Sequence, residues 1–342
     1  MKKFSSFQNI LILCLIGLVT SCNSGPSKQT AAGEALGTTY NITYYSEKEI
    51  ALEKALDSIF ERVNQSMSTY REGSDISRLN SGDSLVKVDT LFRNVFRLSE
   101  KVYNESNGYF DPTVGNLVNF YGFGPERGEQ EVDTAKVDSL MQFVGLDKIS
   151  LTEEGRVESS ASAVYLDFNA IAKGYTIDLI GHYLDSRKVE NYLVELGGEL
   201  LAKGKNLEKA AAWTVGIDDP EQLEEQRTLT AAVKLKDRAM ATSGNYRKNR
   251  IDPATGKMYV HTINPLTGYA EKSDVLSASV LAENCALADA YATAFMAMGL
   301  ERSKEMLSKL ETVDAYLIYA KEDGSMGKYA TAGFEEVLVD LD

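Results

Sequence analysis

The chain of 342 residues is 44% hydrophobic and 25% charged, which is typical of a globular protein with one large domain or two closely joined ones. Its net charge of −14 argues against a nucleic-acid partner, because phosphate backbones are bound by basic surfaces. The same acidity means that a polyphosphate ligand would need a cation or particular Lys and Arg side chains.

The N-terminal residues have the features of an export signal rather than of a folded domain. Two lysines follow the initial methionine, and the apolar stretch 10–19 is too short to span a bilayer as a helix. Residues 19–22 (VTSC) resemble the lipobox of bacterial lipoproteins, in which the cysteine is lipidated. The alternative is a plain secretory signal with a chance cysteine. We expect a signal peptide over 1–21 and a protein that is lipid-anchored through Cys22 to a bacterial membrane, facing the periplasm.

The segment after Cys22 is expected to be a tether. Residues 23–33 are small, polar and rich in Gly and Ser, so we predict a flexible lipidated tether over 22–35 and a folded domain over 36–342. That domain keeps one cysteine, Cys285, in an apolar run, where a thiol is more often a core residue than a nucleophile.

Apolar spacing and β-branched or aromatic runs predict a mixture of helices and strands along the domain. Helices are predicted at 50–67, 90–106, 171–184 and 285–298, with a short one that Ser74 could cap. Strands are predicted at 38–45, 164–168, 192–196, 199–202, 213–217, 228–235, 239–242 and 315–319, and 108–128 is predicted to be irregular. Because the helices and strands do not alternate as regular βαβ units, we predict an α+β fold of mixed sheets with packed helices.

Residues 167–175 (DFNAIAKGY) are the first of four unusual segments. A predicted strand ends in Asp167, and the following helix carries Lys173 in its first turn. Such a junction presents backbone N–H groups and a positive dipole end to an anion, and Lys173 adds a full charge. The alternative is a tight strand–helix connection with an exposed lysine.

The second segment is the apolar helix at 285–294, where Asp289 and Thr293 share one face. The surrounding Ala, Leu, Phe and Met residues suggest that both polar groups are buried, and a buried carboxylate is costly unless it is paired or bound to a cation. Carboxylate, hydroxyl and carbonyl oxygens are ligands that suit Mg²⁺. The alternative is an aspartate bonded to nearby backbone.

Two further segments contain turn residues beside possible functional groups. His261 opens HTINPLTG at 261–268, where it could be a base, a phosphate donor or a structural histidine. The loop 108–115 (GYFDPTVG) mixes aromatics with glycine, which suits stacking on a planar ring but could equally cap a core. With only His182 and His261 in the chain, histidine metal clusters are excluded, and His182 is expected to be a surface or packing residue.

Taken together and in this order, these segments resemble the ApbE family of FAD:protein FMN transferases. The likeness runs from about Leu36 to about Val337, and the architecture that it implies is ApbE-like and related to the T-fold. The stretches that carry it are 67–71, 108–115, 167–175, 193–198, 241–246, 261–268 and 285–294. Departures from the family pattern are Asn116, Glu199 and Asn264, and none of them is an implied metal ligand.

The resemblance implies a role for particular residues. The implied magnesium ligands are Asp289, Thr293, Ala170 and Ala286, the two alanines through their carbonyl groups. Lys173 would meet the FAD phosphates, and His261 would lie near the reacting phosphates as a candidate base, with Asp167 the next candidate. The remaining implied contacts with the flavin nucleotide are Leu36, Tyr70, Asp111, Pro112, Thr113, Asp167 and Ile263.

The activity implied by this resemblance is magnesium-dependent transfer of FMN from FAD to a threonine or serine hydroxyl of a target protein, with release of AMP. Acceptors would be subunits of membrane redox complexes of the sodium-pumping NADH:quinone reductase or Rnf type. One alternative is a magnesium-dependent FAD pyrophosphatase, which forms FMN and AMP with water. The other is a flavin-binding lipoprotein without turnover.

Overall fold

The computed structural model describes residues 25–125, 133–161, 163–220, 228–244, 249–251, 258–270 and 273–339. The expected signal peptide and Cys22 lie outside these residues. Among the helices of the described residues, none is both long and apolar enough to cross a membrane.

Nine helices are present in the described residues, and the longest of them pack together on one face of a sheet. They are α1 (Leu52–Met67), α2 (Asp75–Asn80), α3 (Thr90–Glu105), α4 (Gly115–Phe120), α5 (Thr134–Met141), α6 (Ala172–Ser186), α7 (Cys285–Met298), α8 (Leu300–Leu307) and α9 (Ala332–Glu335).

The strands are joined by antiparallel pairing throughout. They are β1 (Ser27–Ala35), β2 (Thr38–Ser46), β3 (Ile149–Leu151), β4 (Val157–Ser159), β5 (Asn191–Leu196), β6 (Glu199–Lys203), β7 (Trp213–Asp218), β8 (Leu229–Leu235), β9 (Arg238–Gly244), β10 (Asn249–Ile251), β11 (Met258–Val260), β12 (Val275–Ala282), β13 (Asp314–Ala320), β14 (Met326–Ala330) and β15 (Leu338–Val339). The main sheet has the order β1-β2-β5-β6-β9-β12-β13-β14, a smaller sheet has the order β15-β8-β7, and β3-β4 and β10-β11 are separate pairs.

The main sheet has a hydrophobic core on each face, because neighbouring residues of a strand point to opposite sides. In β9, Ala239 and Ala241 face the core that contains α1, α3, α6 and α7, whereas Met240 faces the smaller sheet. Helix α7 is buried on almost all sides, which explains its nearly continuous run of Ala, Leu, Phe and Met. The functional segments of α6 and α7 are therefore held between the sheet and the outer helices.

The α+β prediction is confirmed, as are most of the predicted helices and strands. Helices at 50–67, 90–106, 171–184 and 285–298 appear as α1, α3, α6 and α7 with ends shifted by one or two residues. Ser74 caps α2 by accepting a hydrogen bond from the Ser77 backbone N–H at 3.1 Å.

Two of the predictions about irregular and extended backbone were wrong. Residues 164–168 do not form a strand; Tyr165 makes one isolated bridge to Val114. Instead, the Leu166 backbone N–H donates to Asn80 Oδ1, and the Leu166 carbonyl oxygen accepts from Asn80 Nδ2, each at 2.8 Å. The stretch 108–128 contains helix α4, and its last residues lie outside the described ones.

The expected flexible tether also differs from the structure over residues 27–35. These residues form β1, paired with β2 over its full length from Ser27 opposite Ser46 to Ala35 opposite Thr38. The composition of the strand is small and polar because β1 is an edge strand whose side chains are mostly exposed. The ordered fold therefore begins before Leu36.

Candidate active site

Helix α6 begins at Ala172 and carries Lys173 in its first turn, as predicted. The Phe168 carbonyl oxygen accepts hydrogen bonds from the backbone N–H groups of Ile171 (3.0 Å) and Ala172 (2.8 Å), which leads the chain into the helix. The N-cap residue, Ile171, makes no side-chain capping bond. The positive end of the helix dipole and the Lys173 ammonium group therefore lie together.

Lys173 lies between two carboxylates that other elements supply. Its Nζ atom forms a hydrogen-bonded ion pair with Glu199, the first residue of β6, and lies 3.9 Å from Oδ2 of Asp289 on α7. The side chains of Glu199 and Asp289 are 7% and 6% exposed, and that of Lys173 is 30% exposed. We call Lys173, Glu199 and Asp289 the charged cluster.

The charged cluster depends on a close approach between α6 and α7 at Gly174. A Cβ atom on Gly174 would lie 2.3 Å from the Cys285 carbonyl oxygen and 2.9 Å from Ala286 Cα. Because glycine has no side chain, its backbone N–H reaches Asp289 Oδ2 at 3.2 Å. Gly174 thus fixes the spacing between the two helices that carry Lys173 and Asp289.

A carboxylate on α6, that of Asp178, holds the start of α7. Asp178 accepts hydrogen bonds from the backbone N–H groups of Cys285 (2.7 Å) and Ala286 (2.9 Å). Asn284, the N-cap residue, accepts another from Leu287 N–H at 2.9 Å. Burial raises the pKa of Asp178 to about 6, although these hydrogen bonds oppose the rise. The first amides of α7 are therefore satisfied by side chains.

The electrostatics of the charged cluster are governed by burial and by mutual contact. Burial raises the pKa of Asp289 to about 7; the Lys173 ammonium opposes this rise and the Glu199 carboxylate adds to it. Burial lowers the pKa of Lys173, but the two carboxylates outweigh this effect, so its pKa lies above the ordinary value. Lys173 is therefore protonated at neutral pH, and with both acids ionised the cluster carries one net negative charge.

Other oxygen atoms suited to a hard cation are found on α7 and on neighbouring elements of the site. Thr293 follows one turn later on α7 and is half-buried, and its hydroxyl lies 3.5 Å from that of Ser243 on β9. Oε2 of Glu199 is buried and has no hydrogen-bond partner among the described residues. No group of three or more His, Cys, Asp and Glu side chains is placed to hold a metal in the part of the chain that the structure describes. A cation here would thus need hydroxyl or carbonyl oxygens as well as carboxylates.

Two hairpin turns meet at the end of the main sheet that carries Glu199. The β1–β2 turn is Leu36–Gly37 and the β5–β6 turn is Gly197–Gly198, and all four residues have positive φ. The Gly197 N–H donates to the Thr39 carbonyl oxygen at 3.0 Å, so the turns are adjacent. A leucine with a φ of 51° is uncommon, and such backbone often occurs at ligand sites. Leu36, which was predicted to line the nucleotide, lies at this end of the sheet.

The turn at residues 111–113 is held in shape by its own polar groups. The Asp111 carboxylate accepts hydrogen bonds from Thr113 N–H (2.8 Å), Thr113 Oγ1 (2.6 Å) and Leu146 N–H (3.2 Å). Burial raises the pKa of Asp111 to about 6, against the effect of these bonds. The Pro112 carbonyl accepts a hydrogen bond from Asp167 N–H at 2.7 Å, so the turn and Asp167 lie side by side.

Tyr70 and the aromatic residues of the 108–115 loop differ in exposure. Tyr70 is 63% exposed, and burial of its hydroxyl, with the charge of Asp167 nearby, raises its pKa. By contrast, Phe110 is buried in the helical core, and Tyr109 is partly buried with the Arg302 guanidinium 5.6 Å from its ring centre. Among these aromatics, Tyr70 is the one that offers an open ring.

The histidine segment follows β11 directly. His261 is half-buried, whereas Ile263 is buried with Leu117 and Phe120 in a small core of its own between α4 and α5. A contact of the nucleotide with Ile263 would therefore involve its backbone rather than its side chain. His182 is exposed and Cys285 is fully buried, as predicted, and burial raises the pKa of the Cys285 thiol.

Glu199 is the principal site residue to which no role was given from the sequence. The signal available was an acidic residue directly after the Gly197–Gly198 turn, followed by three apolar residues of the same strand. The partner of that acid, Lys173, lies 26 residues earlier, and sequence spacing does not indicate such a contact.

Comparison with known proteins places these features in a family. The ApbE family pattern matches residues 36–317. A protein of Vibrio cholerae with the name FAD:protein FMN transferase is 33% identical over 96% of this chain and 98% of its own length. Another of that name from Haemophilus influenzae is 31% identical over 97% of each chain. The solved structure of the flavin transferase ApbE from Vibrio cholerae superposes with a TM-score of 0.81 and 33% identity, covering 91% of this chain and 99% of that one.

Proposed function

This chain belongs to the ApbE family, and we propose that it transfers FMN from FAD to a hydroxyl group of another protein, releasing AMP. The observation that carries this proposal is the charged cluster, in which Lys173 stands at the start of α6 beside two buried carboxylates. A helix start with a lysine suits a pyrophosphate, and the carboxylates suit the cation that a pyrophosphate requires. A protein that merely stores flavin has no need of this arrangement.

The residues around Asp289 fit a magnesium ion. Two buried carboxylates face one ammonium group, and Oε2 of Glu199 has no partner among the described residues. Asp289 and Thr293 would hold the ion through their side chains, and Ala170 and Ala286 through their carbonyl groups. Bound there, Mg²⁺ would neutralise charge on the pyrophosphate and polarise its phosphorus.

The protein's own groups supply binding, orientation and proton transfer. Lys173 binds the phosphates of FAD, and the exposed ring of Tyr70 and the turn at 111–113 contact the flavin nucleotide. The oxygen of an acceptor threonine or serine attacks the phosphorus on the FMN side, and the bond from that phosphorus to the bridging oxygen breaks. AMP leaves with the bonding electrons, and His261 takes the proton of the hydroxyl.

Incubation of the protein with FAD and Mg²⁺, with and without an acceptor protein, tests this function. AMP release that requires the acceptor, together with covalently bound FMN on that acceptor, supports the transferase. AMP release to the same extent without acceptor would make the protein a pyrophosphatase, and no AMP in either case would make it a flavin-binding protein.

Asp289→Asn provides a variant control for that experiment. Asparagine keeps an oxygen for the Gly174 N–H bond but removes the charge, so the variant should fold and lose AMP release. Near-normal turnover of Asp289→Asn at low Mg²⁺ would contradict the proposed ion site.

We further propose that the protein is exported and anchored by a lipidated Cys22, with acceptors among membrane redox complexes. This rests on the basic start, the apolar stretch 10–19 and the lipobox-like residues 19–22. A Cys22→Ala variant should be lost from the membrane fraction and remain active when purified. If Cys22→Ala still sediments with membranes, the lipid anchor is wrong.

A further inference from the structure

Glu199 has an unusual environment for a carboxylate. Its side chain is 7% exposed, one oxygen pairs with Lys173, and the other, Oε2, is buried without a hydrogen-bond partner among the described residues. A buried carboxylate oxygen without a hydrogen-bond partner is energetically costly. We therefore expect this oxygen to interact with a bound ligand or ion.

The backbone around Glu199 is held firmly in place. A Cβ atom on Gly197 would lie 2.9 Å from Thr38 Cγ2 and 3.3 Å from Glu199 Oε2, so a larger residue would be crowded in this turn. Gly198 N–H donates to the carboxylate of Glu195 at 2.8 Å, which fixes the turn from the other side. The position of the Glu199 carboxylate is thus set by the hairpin and not by Lys173 alone.

The charges of the cluster have opposite effects on a cation and on a phosphate. When both acids are ionised, Glu199 and Asp289 contribute two negative charges and Lys173 one positive charge, which leaves one net negative charge in a largely buried place. A cation is attracted to that charge, whereas the pyrophosphate of FAD is repelled by it. Glu199 also accepts one of the three hydrogen bonds that the ammonium group can donate, so that donor is not available to a phosphate oxygen.

We propose that Glu199 makes the binding of FAD depend on the cation. In the absence of a cation it holds Lys173 and keeps the cluster negative, which weakens binding of the phosphates. When a cation is bound, the excess charge is neutralised, and Lys173 becomes available to the pyrophosphate. Glu199 is on this account a positioning residue for Lys173, and the inference rests on the proposed binding of FAD phosphates at this cluster.

The test compares FAD affinity with Mg²⁺ and with EDTA for the wild type, Glu199→Gln, Glu199→Asp and Glu195→Gln. Glu199→Gln removes the charge and keeps an acceptor for Lys173, whereas Glu199→Asp keeps the charge on a shorter side chain. Glu195→Gln removes one charge from the same turn without touching Lys173. Riboflavin, which has no phosphate, is titrated as a second ligand.

We expect Mg²⁺ to tighten FAD binding in the wild type and in Glu199→Asp and Glu195→Gln. In Glu199→Gln, affinity for FAD in EDTA should rise about tenfold and the effect of Mg²⁺ should shrink by the same factor, because one charge at this distance shifts an equilibrium by about one order of magnitude. Riboflavin affinity should not change.

Three results would overturn the inference. They are an unchanged Mg²⁺ effect in Glu199→Gln, a wild type whose FAD affinity does not respond to Mg²⁺, and an equal loss of the effect in Glu195→Gln. None of these results contradicts the proposed transferase activity if the wild type still forms FMN-labelled acceptor and AMP. If the wild type binds FAD but forms neither product, the proposed function fails, whereas the Mg²⁺ effect still tests Glu199.

Discussion

Replacing Gly174 by alanine perturbs the contact between α6 and α7 that carries the charged cluster. The new Cβ atom would lie 2.3 Å from the Cys285 carbonyl oxygen, whereas ordinary contact begins at 3.4 Å, so the helices must separate by about 1 Å. Both sides of the contact are backbone, so no side chain can rotate away. Such overpacking costs about 1–3 kcal/mol, and the better helix propensity of alanine offsets about 1 kcal/mol. We therefore expect the free energy of unfolding to fall by at most about 2 kcal/mol.

The same displacement should affect function more than stability. Lys173 and Asp289 are on the two helices that separate, and a misplacement of 1 Å in a reacting site can reduce the rate about 10²-fold. Urea unfolding, FAD titration and the rate of AMP release measure the three effects. Gly181→Ala is the matched control on the same helix, because its Cβ would meet the tips of Leu201 and Tyr192, which can move. Equal stability and equal rate in Gly174→Ala and wild type would refute this reasoning.

Three further predictions concern single side chains. Lys173→Met should weaken FAD binding by about 1.5–3 kcal/mol, the contribution of a charge-assisted contact, and an unchanged affinity by titration would exclude Lys173 as a phosphate ligand. His261→Asn should leave FAD affinity nearly unchanged and slow single-turnover transfer about 10²–10⁴-fold; lost affinity with a normal rate at saturation would make His261 a ligand contact. Asp178→Asn should alter the pH dependence of stability. Because the folded pKa of Asp178 is raised to about 6, this carboxyl group adds stability to the wild type as the pH falls from about 6 to about 4, and the variant lacks that contribution. The free energy of unfolding, measured with urea, should rise by about 2–3 kcal/mol more in the wild type than in Asp178→Asn between pH 7 and pH 4. A difference between the two proteins that does not change with pH would contradict the raised pKa.

Local sequence pattern determined most of the fold's elements, since helix and strand periodicity are properties of a few consecutive residues. The helices that became α1, α3, α6 and α7 and the strands around the Gly197–Gly198 turn could all be predicted. The errors occurred where backbone hydrogen bonds go to distant partners. Residues 164–168 look like a strand, but Asn80 and Pro112 satisfy their backbone groups, and 27–35 look like a tether, but β2 pairs with them.

The sequence by itself also determined which chemical groups were available to the site. Lys173 at a helix start and Asp289 with Thr293 on one helix face are local features, and their resemblance to one family indicated FAD and a cation. Tertiary structure decided how these groups combine. Gly174 permits α6 and α7 to come into contact, and the β5–β6 hairpin places Glu199, the first residue of β6, beside Lys173 on α6. Contacts of this kind join residues that are far apart in the chain, and the charge they bury is set by packing, which no local pattern of residues encodes.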